Sequence, residues 1–141
     1  MHIKTDMLDM SFMKELIKKA FKARNAAYAP YSRFKVGAVV ETDKGKIYCG
    51  CNIENASYGL SICAERVAIC NAMANGEKKI KRLVIATASN VITPPCGACR
   101  QFLAEFNPKL EISISNKKGK TKRYNLSKLF PEPFSKKNMA K

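Results

Sequence analysis

The chain has 141 residues, of which 46% are apolar and 26% are charged. This length favours a single domain, and the apolar content is enough for one hydrophobic core, which excludes a disordered or fibrous protein. The net charge is +15, from 26 basic and 11 acidic side chains, and such a charge suits an acidic partner such as nucleic acid. The lysines are scattered and concentrate only in a basic C-terminal tail from about residue 117. We therefore interpret the charge as a solvated surface, with no specific nucleic-acid partner.

The sequence also limits the location of the protein and the chemistry it can use. No segment approaches the ~18 apolar residues of a membrane span, and the N-terminus lacks the pattern of a secretion signal, so we expect a cytosolic protein without a membrane partner. The single histidine, His2, leaves no central residue for Ser-His-Asp or Cys-His catalysis. The six cysteines are expected to be reduced thiols or metal ligands rather than disulfides.

Hydrophobic periodicity predicts an alternation of helices and strands. Apolar residues at helical spacing predict an amphipathic helix with Asp9 or Ser11 as its cap. Turns that contain Gly45 and Gly119 predict two hairpins. In chain order the predicted elements are a helix at 11–27, strands at 34–41 and 46–52, a helix at 64–74, a strand at 83–88, a helix at 96–106, and strands at 110–115 and 122–126. This order predicts an α/β fold in which a mixed five-stranded sheet lies between helices as a three-layer α-β-α sandwich.

Three cysteines stand at predicted helix starts. Cys96 and Cys99 form a CxxC pair, which alone fits a redox pair, half of a zinc site or a coincidence. Cys63 begins the preceding helix and can supply a third thiolate. Helix N-termini stabilise thiolates, and three thiolates leave the fourth tetrahedral zinc position open to water, as in a catalytic site.

Two charged residues follow Cys63 directly. Glu65 is close enough to exchange protons with a zinc-bound water, which makes it the candidate general base. Taken alone, Glu65 also fits an ordinary acidic residue in the first turn of a helix. Arg66 can hydrogen-bond to the ligand sulfurs and compensate their negative charge.

The residues around these cysteines resemble a known family. Cys63-Ala64-Glu65 and Pro95-Cys96-Gly97-Ala98-Cys99 match the signature of zinc-dependent nucleobase deaminases. Together with the segments at 27–38, 52–59 and 99–101, they resemble the small homotetrameric cytidine deaminases, over about residues 12–135. The resemblance implies one catalytic domain over residues 1–141 with one Zn²⁺ per subunit. It also implies hydrolysis of cytidine and deoxycytidine to uridine and deoxyuridine with release of ammonia, in pyrimidine salvage.

The same resemblance implies the substrate-binding residues. Asn52 and Glu54 are similar to the ribose-binding pair of the family, in which the glutamate accepts a hydrogen bond from the 3′-hydroxyl. Phe34 lines the nucleoside pocket, and the backbone near Ala64 reads the edge of the pyrimidine. Phe134 resembles a C-terminal aromatic residue that reaches the site of a neighbouring subunit.

Some residues and functions are left with alternatives. Tyr58 fits either the core or the site of a neighbouring subunit, and we favour the second. Cys49 and Cys51 are interpreted as small apolar residues, and Cys70, two turns after Cys63 on the same helix, as a residue of the core. A deaminase of a modified cytosine nucleoside such as blasticidin is the nearest alternative enzyme. A nucleic-acid-binding module with a structural zinc is the alternative from another class, but it needs a fourth ligand that the sequence does not show.

Overall fold

The structure of the protein, a computed structural model, describes residues 2–139, and the side chains of residues 6–139. Within this part of the chain, helices and strands alternate around one sheet. The helices are α1 (His2–Asn25), α2 (Ala64–Ala74), α3 (Gly97–Phe106) and the one-turn α4 (Leu126–Leu129). The strands are β1 (Val36–Thr42), β2 (Ile47–Cys51), β3 (Ile80–Thr87), β4 (Glu111–Ser115) and β5 (Thr121–Asn125). No helix of residues 2–139 is long and apolar enough to cross a membrane.

The five strands form one mixed sheet in the order β2-β1-β3-β4-β5. Strands β3 and β4 are parallel, and the other three neighbouring pairs are antiparallel. The two predicted hairpins are present, with Gly45 and Gly119 at positive φ in their turns. The predicted mixed five-stranded sheet is therefore confirmed.

Alternation along the central strands creates two cores. Val39 and Val84 pack against α1, whereas their neighbours Val40 and Leu83 belong to the core that also contains residues of α2 and α3. Because successive side chains of a strand point to opposite faces, one sheet is covered on both sides. The result is the three-layer arrangement that the element order predicts.

Helix α1 is longer than its apolar periodicity predicts. It begins at His2 rather than near residue 11, and the side chain of His2 lies outside the described residues. The prediction of Asp9 or Ser11 as the N-terminal cap was wrong, because both lie within the helix. The Oδ1 of Asp9 is 3.2 Å from Nη1 of Arg82 on β3. This ion pair links the N-terminal part of α1 to the sheet. Helical periodicity does not reveal such a long-range contact.

The strand register brings three chain segments to one edge of the sheet. Val36 at the start of β1 pairs with Thr87 at the end of β3, and Gly37 pairs with Cys51 at the end of β2. The segments just before β1, just after β2 and just after β3 consequently meet at this edge. Helices α2 and α3 both follow segments that leave this edge, so their N-termini are brought to it as well.

Gly50 of β2 sets the distance between the sheet and α2. A substitution at Gly50 tests whether the position of α2 depends on this close approach. A Cβ at Gly50 would lie 2.3 Å from the backbone nitrogen of Ala68 and 2.6 Å from the carbonyl oxygen of Ala64. We expect Gly50→Ala to lower the free energy of unfolding by about 3 kcal/mol and to reduce activity, because it displaces α2. Gly59→Ala is the control, since nothing lies within 4 Å of a Cβ there. Equal melting temperatures for the two variants would contradict this packing.

Candidate metal centre and adjoining cavity

The three cysteines identified in the sequence converge at the N-termini of two helices. Cys63 immediately precedes α2, Cys96 immediately precedes α3, and Cys99 lies in the first turn of α3. Their Sγ atoms all lie within 4.8 Å of one another, and those of Cys63 and Cys96 are 3.9 Å apart. The three thiols therefore share one small volume, to which both helices present their positive ends.

This donor set fits zinc. At a Zn–S distance of about 2.3 Å, two sulfurs of a tetrahedral site lie about 3.8 Å apart, close to the separation of Cys63 and Cys96. A hydrogen bond from the Cys99 thiol, aided by Arg66, lowers the pKa of Cys63, while the same contact and burial raise the pKa of Cys99. The Cys63 thiol therefore loses its proton easily. Deprotonation of Cys99 is then opposed by the negative charge on Cys63. Cys63, Cys96 and Cys99 are positioned to hold a metal ion, whose positive charge favours all three thiolates.

Glu65 lies beside the three sulfurs in the first turn of α2 and is 6% exposed. Burial raises the pKa of its carboxyl group to about 7. The neighbouring Cys63 acts in the same direction. Such a carboxyl group can both accept and donate a proton near neutral pH, which distinguishes it from a solvated acidic residue of a helix start.

Arg66 contacts the cluster from the next position of α2. Its Nη2 is 3.9 Å from Cys63 Sγ and 3.4 Å from the carbonyl oxygen of Ser61. Three thiolates around a divalent ion carry a net charge of −1, and the guanidinium group lies where it compensates this charge. Arg66 thus lies next to one of the three sulfurs, as the sequence predicts.

A cavity of about 250 Å³ opens onto Cys63, Cys96 and Glu65. Three of the predicted substrate-binding residues, Phe34, Asn52 and Ala64, line it. The other residues of its wall, besides Cys63, Cys96 and Glu65, are Ser32, Val36, Ile85, Thr87, Thr93 and Pro94. The cavity thus joins the candidate metal centre to the edge where β1, β2 and β3 meet.

Asn52 fixes the chain segment that carries Phe34. Its Nδ2 donates a hydrogen bond to the carbonyl oxygen of Phe34 at 2.9 Å, and its Oδ1 accepts one from the N–H of Val36 at 2.8 Å. A carboxamide has two donor hydrogens and an acceptor oxygen with two lone pairs. Asn52 therefore keeps one donor and one acceptor position for a ligand while holding the cavity wall in place.

Glu54 lies in a second, adjoining cavity that it shares with Tyr31, Ser32, Tyr58 and Ser61. Its Oε2 accepts hydrogen bonds from the N–H groups of Tyr31 at 2.9 Å and Ser32 at 3.2 Å. Its Oε1 accepts one from the Ser32 hydroxyl. The hydrogen bond from Ser32 is the main reason that the pKa of Glu54 lies below its ordinary value, so the group is a carboxylate at neutral pH.

The two aromatic residues predicted to act between subunits are exposed in the single chain. Tyr58 is 75% exposed and packs edge to face on Tyr31, with the ring centroids 5.8 Å apart. Phe134 is 62% exposed and lines neither cavity. Gln101 of α3 holds its backbone, since Gln101 Oε1 accepts from Phe134 N–H at 3.1 Å and Gln101 Nε2 donates to Phe134 O at 2.8 Å.

Sequence reasoning missed several residues that build this site. Ser32 lines both cavities, and Arg100 ties the segment before α3 to α4 through the carbonyl oxygens of Pro95 and Leu129. Ser32 and Arg100 both lie in segments that carry the family resemblance. Thr93 and Pro94 come from the irregular loop after β3, which no periodic pattern describes.

Comparison with known proteins identifies what this arrangement is similar to. Residues 10–113 match the model of the family described as "Cytidine and deoxycytidylate deaminase zinc-binding region". A cytidine deaminase of Sporosarcina psychrophila is 41% identical over 129 residues, which cover 91% of this chain and 95% of that protein. A cytidine deaminase of Halalkalibacterium halodurans is 42% identical over 125 residues, 88% of this chain and 95% of that protein.

Solved structures show the same similarity in three dimensions. A crystal structure of cytidine deaminase from Burkholderia pseudomallei superposes with a TM-score of 0.83 at 43% identity, covering 86% of this chain and 98% of that one. A cytidine deaminase from Mycobacterium tuberculosis gives a TM-score of 0.75 at 35% identity, covering 86% and 96% of the two chains.

Proposed function

This chain belongs to the family of zinc-binding cytidine and deoxycytidylate deaminases, and we propose that it hydrolyses cytidine and deoxycytidine to uridine and deoxyuridine with release of ammonia. The observation that carries the proposal is a cluster of three cysteine sulfurs beside a cavity whose wall includes two of these cysteines, Cys63 and Cys96, and one buried carboxyl group, Glu65. When bound by Cys63, Cys96 and Cys99, zinc supplies the Lewis acidity that makes a water molecule nucleophilic near neutral pH.

Glu65 moves the protons of the proposed reaction. Its carboxylate takes a proton from the attacking water and delivers it to ring N3 while the water oxygen bonds to C4. The second water proton then passes through the same carboxyl group to the exocyclic amino group, and the C4–N bond breaks to release ammonia. Water supplies the oxygen of the product, and Glu65 ends in its starting state. A pKa of about 7 suits a group that must accept and donate protons in turn.

The cavity wall binds and orients the nucleoside in this proposal. Asn52 and Glu54 hold the sugar, with Glu54 as the acceptor for the 3′-hydroxyl, and Phe34 packs against the nucleoside. The backbone at Ala64 reads the pyrimidine edge beside Glu65. Support comes from the free donor and acceptor positions of Asn52 and from the ionised state of Glu54 described above. Arg66 keeps the thiolate charge from weakening the acidity of the zinc.

We also propose a homotetramer in which Tyr58 and Phe134 contribute to a neighbouring site. The exposure of both aromatic rings in the single chain supports this assembly, since large exposed apolar side chains are common at interfaces. We propose further that residues 1–141 form one domain and that the protein works in cytosolic pyrimidine salvage. A reducing compartment keeps the six cysteines as free thiols.

Complementation between subunits tests the role of Phe134. We expect Phe134→Ala to lose activity while keeping its fold, because each site then lacks an aromatic side chain supplied by a neighbour. Co-expression with a Glu65→Gln chain should restore part of the activity, since some sites in mixed tetramers combine an intact Glu65 with a neighbouring intact Phe134. Met139→Ala changes another exposed apolar side chain of the same segment and serves as the control. A fully active monomer at micromolar concentration would contradict the proposal.

A single assay separates the proposed function from its alternatives. Cytidine, deoxycytidine, blasticidin and a cytosine-containing oligonucleotide are supplied separately at ~150 mM salt, and ammonia and the deaminated products are measured chromatographically. We expect rapid turnover of the two nucleosides only. A phosphodiester at the 3′-oxygen would bring a second negative charge against Glu54, and this contact between like charges is unfavourable. Turnover of blasticidin alone would instead assign a modified nucleoside as substrate, and binding of the oligonucleotide without any turnover would favour a nucleic-acid module.

A further inference from the structure

The Ser32 hydroxyl connects the two parts of the cavity wall. Its Oγ donates a hydrogen bond to Glu54 Oε1 and accepts one from the N–H of Phe34 at 3.0 Å. The Ser32 N–H donates in addition to Glu54 Oε2. One residue thus contacts both the carboxylate of the second cavity and the backbone of an aromatic residue in the first.

The backbone conformation next to Ser32 allows both contacts. Arg33, the next residue, has a φ of 57°, in the left-handed region that non-glycine residues rarely adopt. This conformation turns the chain so that the Ser32 hydroxyl reaches the N–H of Phe34, two residues further on. Such unfavourable backbone conformations persist where the surrounding contacts hold them, often at functional sites.

The hydrogen bonds of Glu54 leave part of its carboxylate available to a ligand. Each carboxylate oxygen offers about two acceptor positions. Oε2 accepts from the N–H groups of Tyr31 and Ser32 and is filled, whereas among residues 6–139 Oε1 accepts only from the Ser32 hydroxyl. Glu54 therefore has one acceptor position left, and its direction is set by the Ser32 hydroxyl.

We propose that Ser32 is a positioning residue that orients Glu54 so that it accepts one sugar hydroxyl and no second one. The inference rests on the proposed nucleoside deaminase function and specifies how the site recognises the sugar. A carboxylate with one free position can bind the 3′-hydroxyl but has no place for the 2′-hydroxyl as well. Glu54 consequently does not discriminate between ribose and 2′-deoxyribose, and it rejects a sugar without the 3′-hydroxyl.

Removing the hydroxyl should affect Glu54 more than the fold of the loop. Asn52 holds the segment from Phe34 to Val36 through two hydrogen bonds of its own, and the Tyr31 N–H still binds Oε2. In Ser32→Ala the carboxylate keeps its two backbone donors but loses the hydroxyl contact that orients Oε1. The loss should therefore appear in sugar binding.

The experiment compares cytidine, 2′-deoxycytidine and 3′-deoxycytidine in four proteins: the unmodified enzyme, Ser32→Ala, Ser32→Thr and the control Ser57→Ala. Ser57 precedes a short 3-10 helix without capping it through its side chain. In the unmodified enzyme we expect kcat/KM for the first two nucleosides to agree within a few fold and to exceed that for 3′-deoxycytidine by at least tenfold, the effect of one hydrogen bond to a charged group.

Ser32→Ala should raise KM about tenfold for the two nucleosides that carry a 3′-hydroxyl, with kcat within about twofold. The KM for 3′-deoxycytidine should not change. Ser32→Thr keeps a hydroxyl, so its KM values should lie close to those of the unmodified enzyme. Ser57→Ala should match the unmodified enzyme. Melting temperatures establish that each variant is folded.

Two results would overturn the inference. An equal rise in KM for all three nucleosides would mean that Ser32 acts through Phe34 and the shape of the cavity, and unchanged constants would mean that Glu54 is oriented without it. The same set of measurements distinguishes failure of the proposed function, because in that case the unmodified enzyme would turn over none of the nucleosides.

Discussion

Glu65→Gln is expected to lower kcat by at least ~10²-fold while the protein keeps its fold and its zinc. Glutamine has nearly the same shape as glutamate, but at neutral pH it neither accepts the proton of the attacking water nor returns one to the ring nitrogen. The loss of a positioned acid-base group costs typically 10² to 10⁴ in rate. Because Glu65 is almost fully buried, bulk water has poor access to take over this proton transfer.

Two measurements make this prediction specific. Zinc content and melting temperature should be those of the unmodified protein, which separates loss of chemistry from loss of structure. Glu105→Gln makes the same chemical change at an exposed position of α3 and should leave kcat unchanged. If Glu65→Gln retained kcat within a few fold, Glu65 would have no part in proton transfer, and another group on the cavity wall would have to be sought.

The sequence predicted the architecture because the patterns that specify it are local. Gly45 and Gly119 mark their turns, and the alternation along β1 and β3 corresponds to the two cores. The converging cysteines were predicted because a zinc site needs a particular set of ligands, and their positions before two helices could be read from the chain. The segments that the sequence predicts as structured are present, and their boundaries shift by a few residues except at the start of α1, which lies at His2 rather than near residue 11.

The features that the sequence did not predict depend on contacts between distant segments. Aspartate is a common residue at helix caps, but Asp9 lies inside α1 and contacts Arg82 of β3. Leu126, predicted as the last residue of a strand, instead begins α4 and is fully buried. The role of Ser32 depends on its contact with Glu54, which lies 22 positions further along the chain. Periodicity cannot supply such distances, because it describes only one segment at a time.

The metal centre provides the second large effect. We expect one zinc per chain, and we expect Cys63→Ala, Cys96→Ala and Cys99→Ala each to lose most of the metal and nearly all activity. Each substitution leaves only two thiolates of the cluster, and a tetrahedral site with two protein ligands binds zinc weakly. Cys70→Ala is the matched control. The prediction that Cys70 belongs to the core was wrong, since it is an exposed cysteine of α2 outside the cluster, and the variant should retain both zinc and activity.

Chelation of the unmodified protein should give a consistent result without mutation. A metal ion held by the cluster would link the start of α2 to the start of α3, and an ion that binds only the folded state stabilises it, so removing zinc should lower the melting temperature. It should also release three further thiols for titration, since three of the six free cysteines belong to the cluster, and added zinc should reverse both changes. Full activity with no bound metal would contradict the assignment of the cluster. Zinc retained in all three cysteine variants would contradict it too, because the metal would then be held by other residues.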